Sequence, residues 1–211
     1  STIVSDVNDT TTVTLTDTPT VNENGTITYT ATLTGADGKP VTAQNGPVTV
    51  TLDSGKTITI AAGASSGVLD VAVGNDVYTG APSVTETIKS ASGGNLEAIA
   101  VDTTGASTAV RDTVDNTTVS ITGSTSVTEG QAATYTVSLT NPAQTEVTLK
   151  IVYSGTAADG TDFTGVYTVK IPANATSATF NVATLDDKIT EGTENFVVKI
   201  DSATGGNFEH L

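Results

Sequence analysis

From Thr11 to Thr34 the chain alternates apolar residues with threonine: Thr-Thr-Val-Thr-Leu-Thr, then Val21-Asn-Glu-Asn-Gly-Thr-Ile-Thr-Tyr-Thr-Ala-Thr-Leu-Thr34. A period of two puts Tyr29, Ala31 and Leu33 on one face of a half-buried strand. The same phrase returns at residues 117–140, as Thr-Thr-Val-Ser-Ile-Thr and then Val127-Thr-Glu-Gly-Gln-Ala-Ala-Thr-Tyr-Thr-Val-Ser-Leu-Thr140, with Glu129 at the place of Glu23 and Tyr135 at that of Tyr29. The chain is a tandem repeat.

The match continues downstream. Ile60-Ala-Ala-Gly-Ala-Ser-Ser-Gly-Val-Leu-Asp-Val aligns with Ile171-Pro-Ala-Asn-Ala-Thr-Ser-Ala-Thr-Phe-Asn-Val, and Ala91-Ser-Gly-Gly-Asn-Leu-Glu97 with Ala203-Thr-Gly-Gly-Asn-Phe-Glu209. The offset between copies grows between Tyr153 and Tyr167, an insertion that brings Asp159 and Asp162 into the second copy. Short strands separated by Gly, Asn, Asp and Pro turns, with no helical period, predict an all-β fold: two sandwiches of about seven strands, over residues 1–110 (1–10 linker-like) and 111–211. The joint Val110-Arg-Asp-Thr-Val-Asp-Asn-Thr117 repeats the opening phrase Val4-Ser-Asp-Val-Asn-Asp-Thr-Thr11 and has no Gly/Ser tract, so it is not expected to behave as a floppy tether.

Residues 100–110 follow the Gly-Gly-Asn motif of the first copy and should form its last strand. Thr2-Ile-Val-Ser-Asp6 matches Thr108-Ala-Val-Arg-Asp112, so the chain reads as opening on the closing strand of a preceding repeat, with the second copy lacking its own. One expectation is an open edge on the second copy. Another is head-to-tail strand addition, residues 1–5 of one molecule completing the second repeat of the next.

With four Phe, five Tyr and no Trp or Met, each core is expected to rest on Val, Ile, Leu and Ala. Such a core is thin, and without cysteine a bound metal is the remaining staple. Eight basic against 23 acidic residues leave a net charge of -15, which opposes nucleic acid and anionic membrane surfaces and favours cations. No apolar run is long enough to insert directly into a membrane.

Charge concentrates in Leu185-Asp-Asp-Lys-Ile-Thr-Glu-Gly-Thr-Glu-Asn-Phe196, where Asp186, Asp187, Glu191 and Glu194 crowd one loop. Two like charges ~4 Å apart repel by roughly 4 kcal/mol at an effective dielectric near 20, so these acids either splay into water or share a cation. All-oxygen ligation of this kind suits Ca²⁺, which takes about 6 to 8 oxygens.

Three motifs in order, Val127-Thr-Glu-Gly130, Gly155-Thr-Ala-Ala-Asp-Gly-Thr-Asp-Phe163 and Asp186-Asp-Lys-Ile-Thr-Glu-Gly-Thr-Glu-Asn-Phe196, resemble those of the Calx-β domain, a Ca²⁺-binding sandwich. The resemblance implies that Glu129, Asp162, Asp186, Asp187, Glu191 and Glu194 converge at one end of the second sandwich, with the Ile189 carbonyl as an extra ligand. The first copy departs from that pattern, with Asn75 for the first Asp and Gly80 where Glu191 stands. Its phrases Ile58-Thr-Ile-Ala-Ala-Gly-Ala-Ser-Ser-Gly67, Asn75-Asp-Val-Tyr78 and Ser92-Gly-Gly-Asn-Leu-Glu97 resemble the immunoglobulin-like repeats of giant type I-secreted adhesins of the biofilm and ice-binding, RTX-bearing kind.

The resemblance implies two tandem immunoglobulin-like (Calx-β-like) extender repeats, extracellular at a bacterial surface, whose partners are neighbouring repeats of the same chain and whose joints are stiffened by Ca²⁺. Candidate ligands of the first repeat are Glu23, Asp53 and Asp76 with Asp112 and Asp115 from the linker; Asp6 and Asp9 would serve a preceding joint. Asp112 and Asp115 read equally well as turn formers. The alternative function is a Ca²⁺-dependent module binding a glycan or protein with the loops of one sandwich end; a third is homotypic adhesion. No catalytic set is expected: His210 is the sole histidine, and no Ser-His-Asp arrangement can be assembled around it.

Overall fold

The computed structural model describes residues 1–4, 7–186 and 192–211. It divides into two compact units, residues 1–75 with 80–113, and residues 76–79 with 114–211. Every element among the described residues is a β-strand.

The first unit opens with β1 (Thr10–Thr16), β2 (Thr20–Asn22) and β3 (Thr26–Gly35), followed by β4 (Val48–Leu52), β5 (Thr57–Ile60) and β6 (Ser66–Ala72). It closes with β7 (Val84–Glu86), β8 (Ile88–Gly93), β9 (Ala98–Val101) and β10 (Ala106–Arg111). One layer has the order β6-β3-β1-β9; the facing strands form β5-β4-β8 and β2-β10-β7. The Thr/apolar alternation of β3 becomes strict in/out burial, with Ile27, Tyr29, Ala31 and Leu33 inside against Val48, Val50, Leu52, Ile58 and Ile60. Among the described residues this unit has ten strands where about seven were expected. The chain switches sheets after Thr16, the seventh strand breaks at Thr87, and residues 98–101 add a parallel partner to β1.

The second unit holds β11 (Val119–Gly123), β12 (Ala132–Leu139), β13 (Val147–Gly155), β14 (Phe163–Thr164), β15 (Thr168–Ile171), β16 (Ser177–Thr184) and β17 (Phe196–Gly205). They form two layers, β11-β12-β16-β14 and β15-β13-β17. The repeat is legible in register: Tyr29 pairs with Leu69, and its counterpart Tyr135 pairs with Phe180. The core departs from the aliphatic expectation, because all four Phe fall in this unit. Phe163 stacks on Phe196 at 4.7 Å between ring centroids, and Tyr135 on Phe180 at 5.6 Å. Few aromatics, concentrated in one sandwich, supply large buried surface there. Residues 76–79 belong to this unit, with Tyr78 stacked on Phe208 at 5.5 Å.

The Gly-Gly-Asn motif is a turn of three successive positive φ angles in both units: 102°, 72° and 50° at Gly93, Gly94 and Asn95, and 99°, 82° and 60° at Gly205, Gly206 and Asn207. This conformation needs glycine, or asparagine at the last place. It turns the chain back from the long strand and delivers Glu97 and Glu209 to the sandwich end.

Candidate metal sites

In the second unit, Glu129 and Asp162 belong to different loops that a third segment ties together. Thr184 donates its N–H to the Gln131 carbonyl at 2.8 Å, and its hydroxyl lies 3.1 Å from the Thr128 carbonyl. Leu185 donates to the Asp162 carbonyl at 2.9 Å, and Asp162 accepts the Ala158 N–H at 2.6 Å. A Cβ placed on Gly130 would sit 3.5 Å from the Asp186 Cβ, so Asp186 lies against the turn that carries Glu129. Glu129, Asp162 and Glu194 line one pocket of about 320 Å³, with Phe196 also in its wall. The stack of Phe163 on Phe196 fixes the backbone beside two of these acids. Asp187, Ile189 and Glu191 lie outside the described residues. Among the described residues no three carboxylates of this unit bring one oxygen each within 4.8 Å of one another.

Asp159, the other acid of the insertion, is engaged elsewhere. It accepts the Tyr167 hydroxyl and, at 2.7 Å, the Gly165 N–H; these bonds hold its carboxyl below the ordinary value.

In the first unit, parallel pairing of β2 with β10 ends at Asn22 opposite Arg111 and carries the next residues out side by side. Glu23 donates its N–H to the Arg111 carbonyl at 3.0 Å, and its carboxylate accepts the Thr113 N–H at 3.2 Å. Asp112 accepts the Gly80 N–H at 2.7 Å. Glu23 is buried, and Glu23 and Asp112 each bring a carboxylate oxygen within 4.8 Å of the other. Gly80, which stands where the second repeat has Glu191, thus supplies an amide to orient Asp112. Asp53 is not part of this pair: it accepts the Thr87 hydroxyl and donates its N–H to the Thr87 carbonyl at 3.1 Å, bridging the break between β7 and β8. Asp76 and Asp115 belong to the second unit, where Asp76 accepts the Tyr78 N–H at 2.8 Å in a local turn.

Two acids absent from the sequence-based set occupy equivalent places. β1 starts its parallel pairing at Thr10 opposite Ala98, and one residue earlier Asp9 donates its N–H to the Glu97 carboxylate at 2.5 Å. In the second unit Asn116 bridges to His210 in parallel, and one residue earlier Asp115 donates to Glu209 at 2.6 Å. The other Glu209 oxygen is buried and accepts no hydrogen bond among the described residues. The signal was present in the sequence, as a Gly-Gly-Asn-x-Glu phrase in both copies, but its long-range partner was not.

The donor set fits a hard divalent cation. It is carboxylate and carbonyl oxygen, with no cysteine in the chain. The ion pairs among the described residues, Lys39 with Asp37 and Lys170 with Glu146, leave Glu23, Asp112, Glu129 and Asp162 without a basic side chain. Where Ca²⁺ binds, Glu129, Asp162, Asp186 and Glu194 would hold it in the second unit, and Glu23 with Asp112 in the first.

Two repeated all-β sandwiches of immunoglobulin-like layout define the class. The LapA domain model matches residues 9–113 and again 115–211, and the chain belongs to that bacterial adhesin-associated family. No curated protein matches the chain. Among solved structures, CBD12 from CALX1.2 is similar at a TM-score of 0.35 and 13% identity, over 90% of this chain and 80% of that one. The native conformation of E. coli alpha-2-macroglobulin is similar at a TM-score of 0.28 and 10% identity, over 92% of this chain and 17% of that one. Salmonella alpha-2-macroglobulin reacted with methylamine gives 0.27 and 12%, over 88% and 14%. No helix among the described residues is long and apolar enough to cross a membrane.

Proposed function

We propose that this chain is an extender region of a bacterial cell-surface adhesin, a pair of spacer sandwiches that bind Ca²⁺ at their ends and are stiffened by it at the joint. The observation that carries the reading is the doubled linker anchor, Asp9 on Glu97 and Asp115 on Glu209. Each unit grips the chain entering it through a carboxylate of its own, at the sequence position where a spacer array must control direction. Around this segment the acids Glu23 and Asp112 face each other, with no basic partner among the described residues.

The physics is linkage. A cation bound by the folded, ordered arrangement and not by the unfolded chain adds RT ln(1 + [L]/Kd), about 2.7 kcal/mol at 100-fold over Kd. It also removes carboxylate repulsion that would otherwise push the linker segments apart. The role is mechanical, so many copies in series gain reach while each sandwich stays small.

Small-angle scattering with and without calcium tests the stiffening: calcium should narrow the distribution of interatomic distances and EDTA should broaden it. Identical curves in both buffers would remove the stiffening role while leaving the fold assignment intact.

A further inference from the structure

Tyr167 is the one aromatic side chain among the described residues that stands exposed, at 52%, and it is nonetheless fixed. Its carbonyl accepts the Ile151 N–H at 3.0 Å, which seats it just ahead of β15. Its hydroxyl donates to Asp159, and its ring meets that of Tyr153 edge-on, with 5.5 Å between centroids. Asp159 also accepts the Gly165 N–H at 2.7 Å, while the Tyr153 hydroxyl donates to the Val166 carbonyl at 3.1 Å and accepts the Val166 N–H at 2.9 Å. Glycine is needed at 165, since a Cβ there would lie 3.0 Å from the Tyr167 ring. These contacts hold the ring without covering it. They gather around the insertion of the second repeat. Thr51 with Thr57 and Lys150 with Thr168 are equivalent cross-strand pairs, so the first unit has Lys56 at the place of Tyr167 and Ser54 at that of Tyr153.

Beside Tyr167 opens a hollow of about 370 Å³, walled by Val152, Tyr153, Ser154 and Phe163, with Asp159 its one charged group. Apolar and aromatic walls with a few placed polar groups are the make-up of a small-ligand site. We propose that this hollow is a subsite for a neutral hexose of a polysaccharide, with Tyr167 the stacking platform and Asp159 the acceptor of sugar hydroxyls. A pyranose has an apolar C–H face and a rim of hydroxyl donors. The fixed ring suits the face, and the carboxylate, which only accepts, suits the rim. An ionised carboxylate accepts about four hydrogen bonds, more than Tyr167 and Gly165 supply. Because the ring is already held, little side-chain freedom is lost on binding. The same carboxylate, in a chain of net charge -15, repels uronates and other acidic sugars. One such subsite is weak, with a Kd in the millimolar range, and a polymer that meets many copies gains by avidity. Glu129, Asp162 and Glu194 do not line this hollow, so its binding is independent of calcium.

Saturation-transfer NMR on the whole chain tests this, with the methyl glycosides of glucose, galactose and mannose as probes and glucuronic acid as the charged comparison, first in EDTA and then in calcium. At least one neutral glycoside should receive saturation, equally in both buffers, and glucuronic acid should receive little. Tyr167→Ala should weaken that binding by about tenfold or more. Tyr167→Phe keeps the ring and frees it from Asp159, and Asp159→Asn removes the charge; each should weaken binding about threefold. Tyr167 is exposed, so the sandwich should stay folded in all three variants, and their amide spectra should match the wild type away from residues 153–167. No saturation of any neutral glycoside would overturn the proposal, as would equal binding by the wild type and Tyr167→Ala or equal binding of glucuronic acid. Binding seen in calcium and lost in EDTA would overturn it as well, and would place the sugar on the calcium pocket instead. Melting that is indifferent to calcium would sink the proposed stiffening role and leave this subsite standing.

Discussion

Asp115 donates its backbone N–H to the Glu209 carboxylate at 2.6 Å, across nearly the whole length of the second repeat, and Asp9 makes the same bond to Glu97 at 2.5 Å in the first. The repeat therefore conserves more than a core: it conserves how the entering chain is held. Replacing Glu209 with Ala leaves the Asp115 amide without its charged acceptor and should cost about 1 to 2 kcal/mol. The exposed Glu97 should cost less when changed in the same way. Urea unfolding of each variant measures both, and Glu209→Gln, which keeps an acceptor oxygen, should separate shape from charge by retaining most of the stability that Glu209→Ala loses.

Gly205 has φ +99°, and a Cβ there would lie 2.3 Å from the Glu146 carbonyl oxygen. Gly205→Ala must strain the backbone and push β13 away, at a cost of at least about 2 kcal/mol. Gly38 has φ +78° with nothing within 4 Å of an added Cβ, so Gly38→Ala should cost only about 1 kcal/mol. The two midpoints in urea decide whether the close approach or the dihedral dominates.

Tyr29 is fully buried, and its hydroxyl has no hydrogen-bond partner among the described residues. Burial first, then the carboxylates of Glu86 and Asp17, raise its pKa above the ordinary 10.0. A raised folded value means that its contribution is complete below pH 10 and is lost as pH climbs through that raised value. Tyr29→Phe should change stability at neutral pH by no more than about 1 kcal/mol and should extend the alkaline range over which the first unit stays folded, as read by circular dichroism.

The Asp159 carboxyl is held below its ordinary 3.8 by the Tyr167 hydroxyl and then by the Gly165 N–H. Its contribution is therefore present above pH 3.8 and lost as pH falls through the lower folded value. Asp159→Asn and Tyr167→Phe should both flatten the acid limb of the melting profile, and should leave the calcium affinity of the wild-type chain unchanged, because Asp159 does not line the pocket shared by Glu129, Asp162 and Glu194.

Period-two alternation and two copies of the same phrase were enough to read the strands around Tyr29 and Tyr135, the tandem organisation and the insertion carrying Asp162. Local pattern shows which face is buried and is silent on which distant strand pairs with it. The parallel ladder of β1 with β9, the break at Thr87 that occupies Asp53, and the grip of Glu209 on Asp115 all depend on such pairings. The expected aliphatic core failed in the second unit for a related reason. Composition averaged over the chain hid the gathering of Phe163, Phe180, Phe196 and Phe208 in one sandwich. Among the acids, motif order pointed to Glu129, Asp162 and Glu194, which share a pocket, and linker composition to Asp112, which faces Glu23 because β2 and β10 run parallel.

On the proposed function this acidic chain binds Ca²⁺ in its folded state and is stabilised by it. Thermal melting in calcium and in EDTA, at one pH and ionic strength, tests it most directly. Calcium at 100-fold over Kd should add about 2.7 kcal/mol to the unit that holds it, and for a domain near 100 residues this is a rise of roughly 10 °C or more in Tm. Glu129→Gln with Asp162→Asn should abolish the part that belongs to the second unit. A Tm that is the same in calcium and in EDTA would contradict the account.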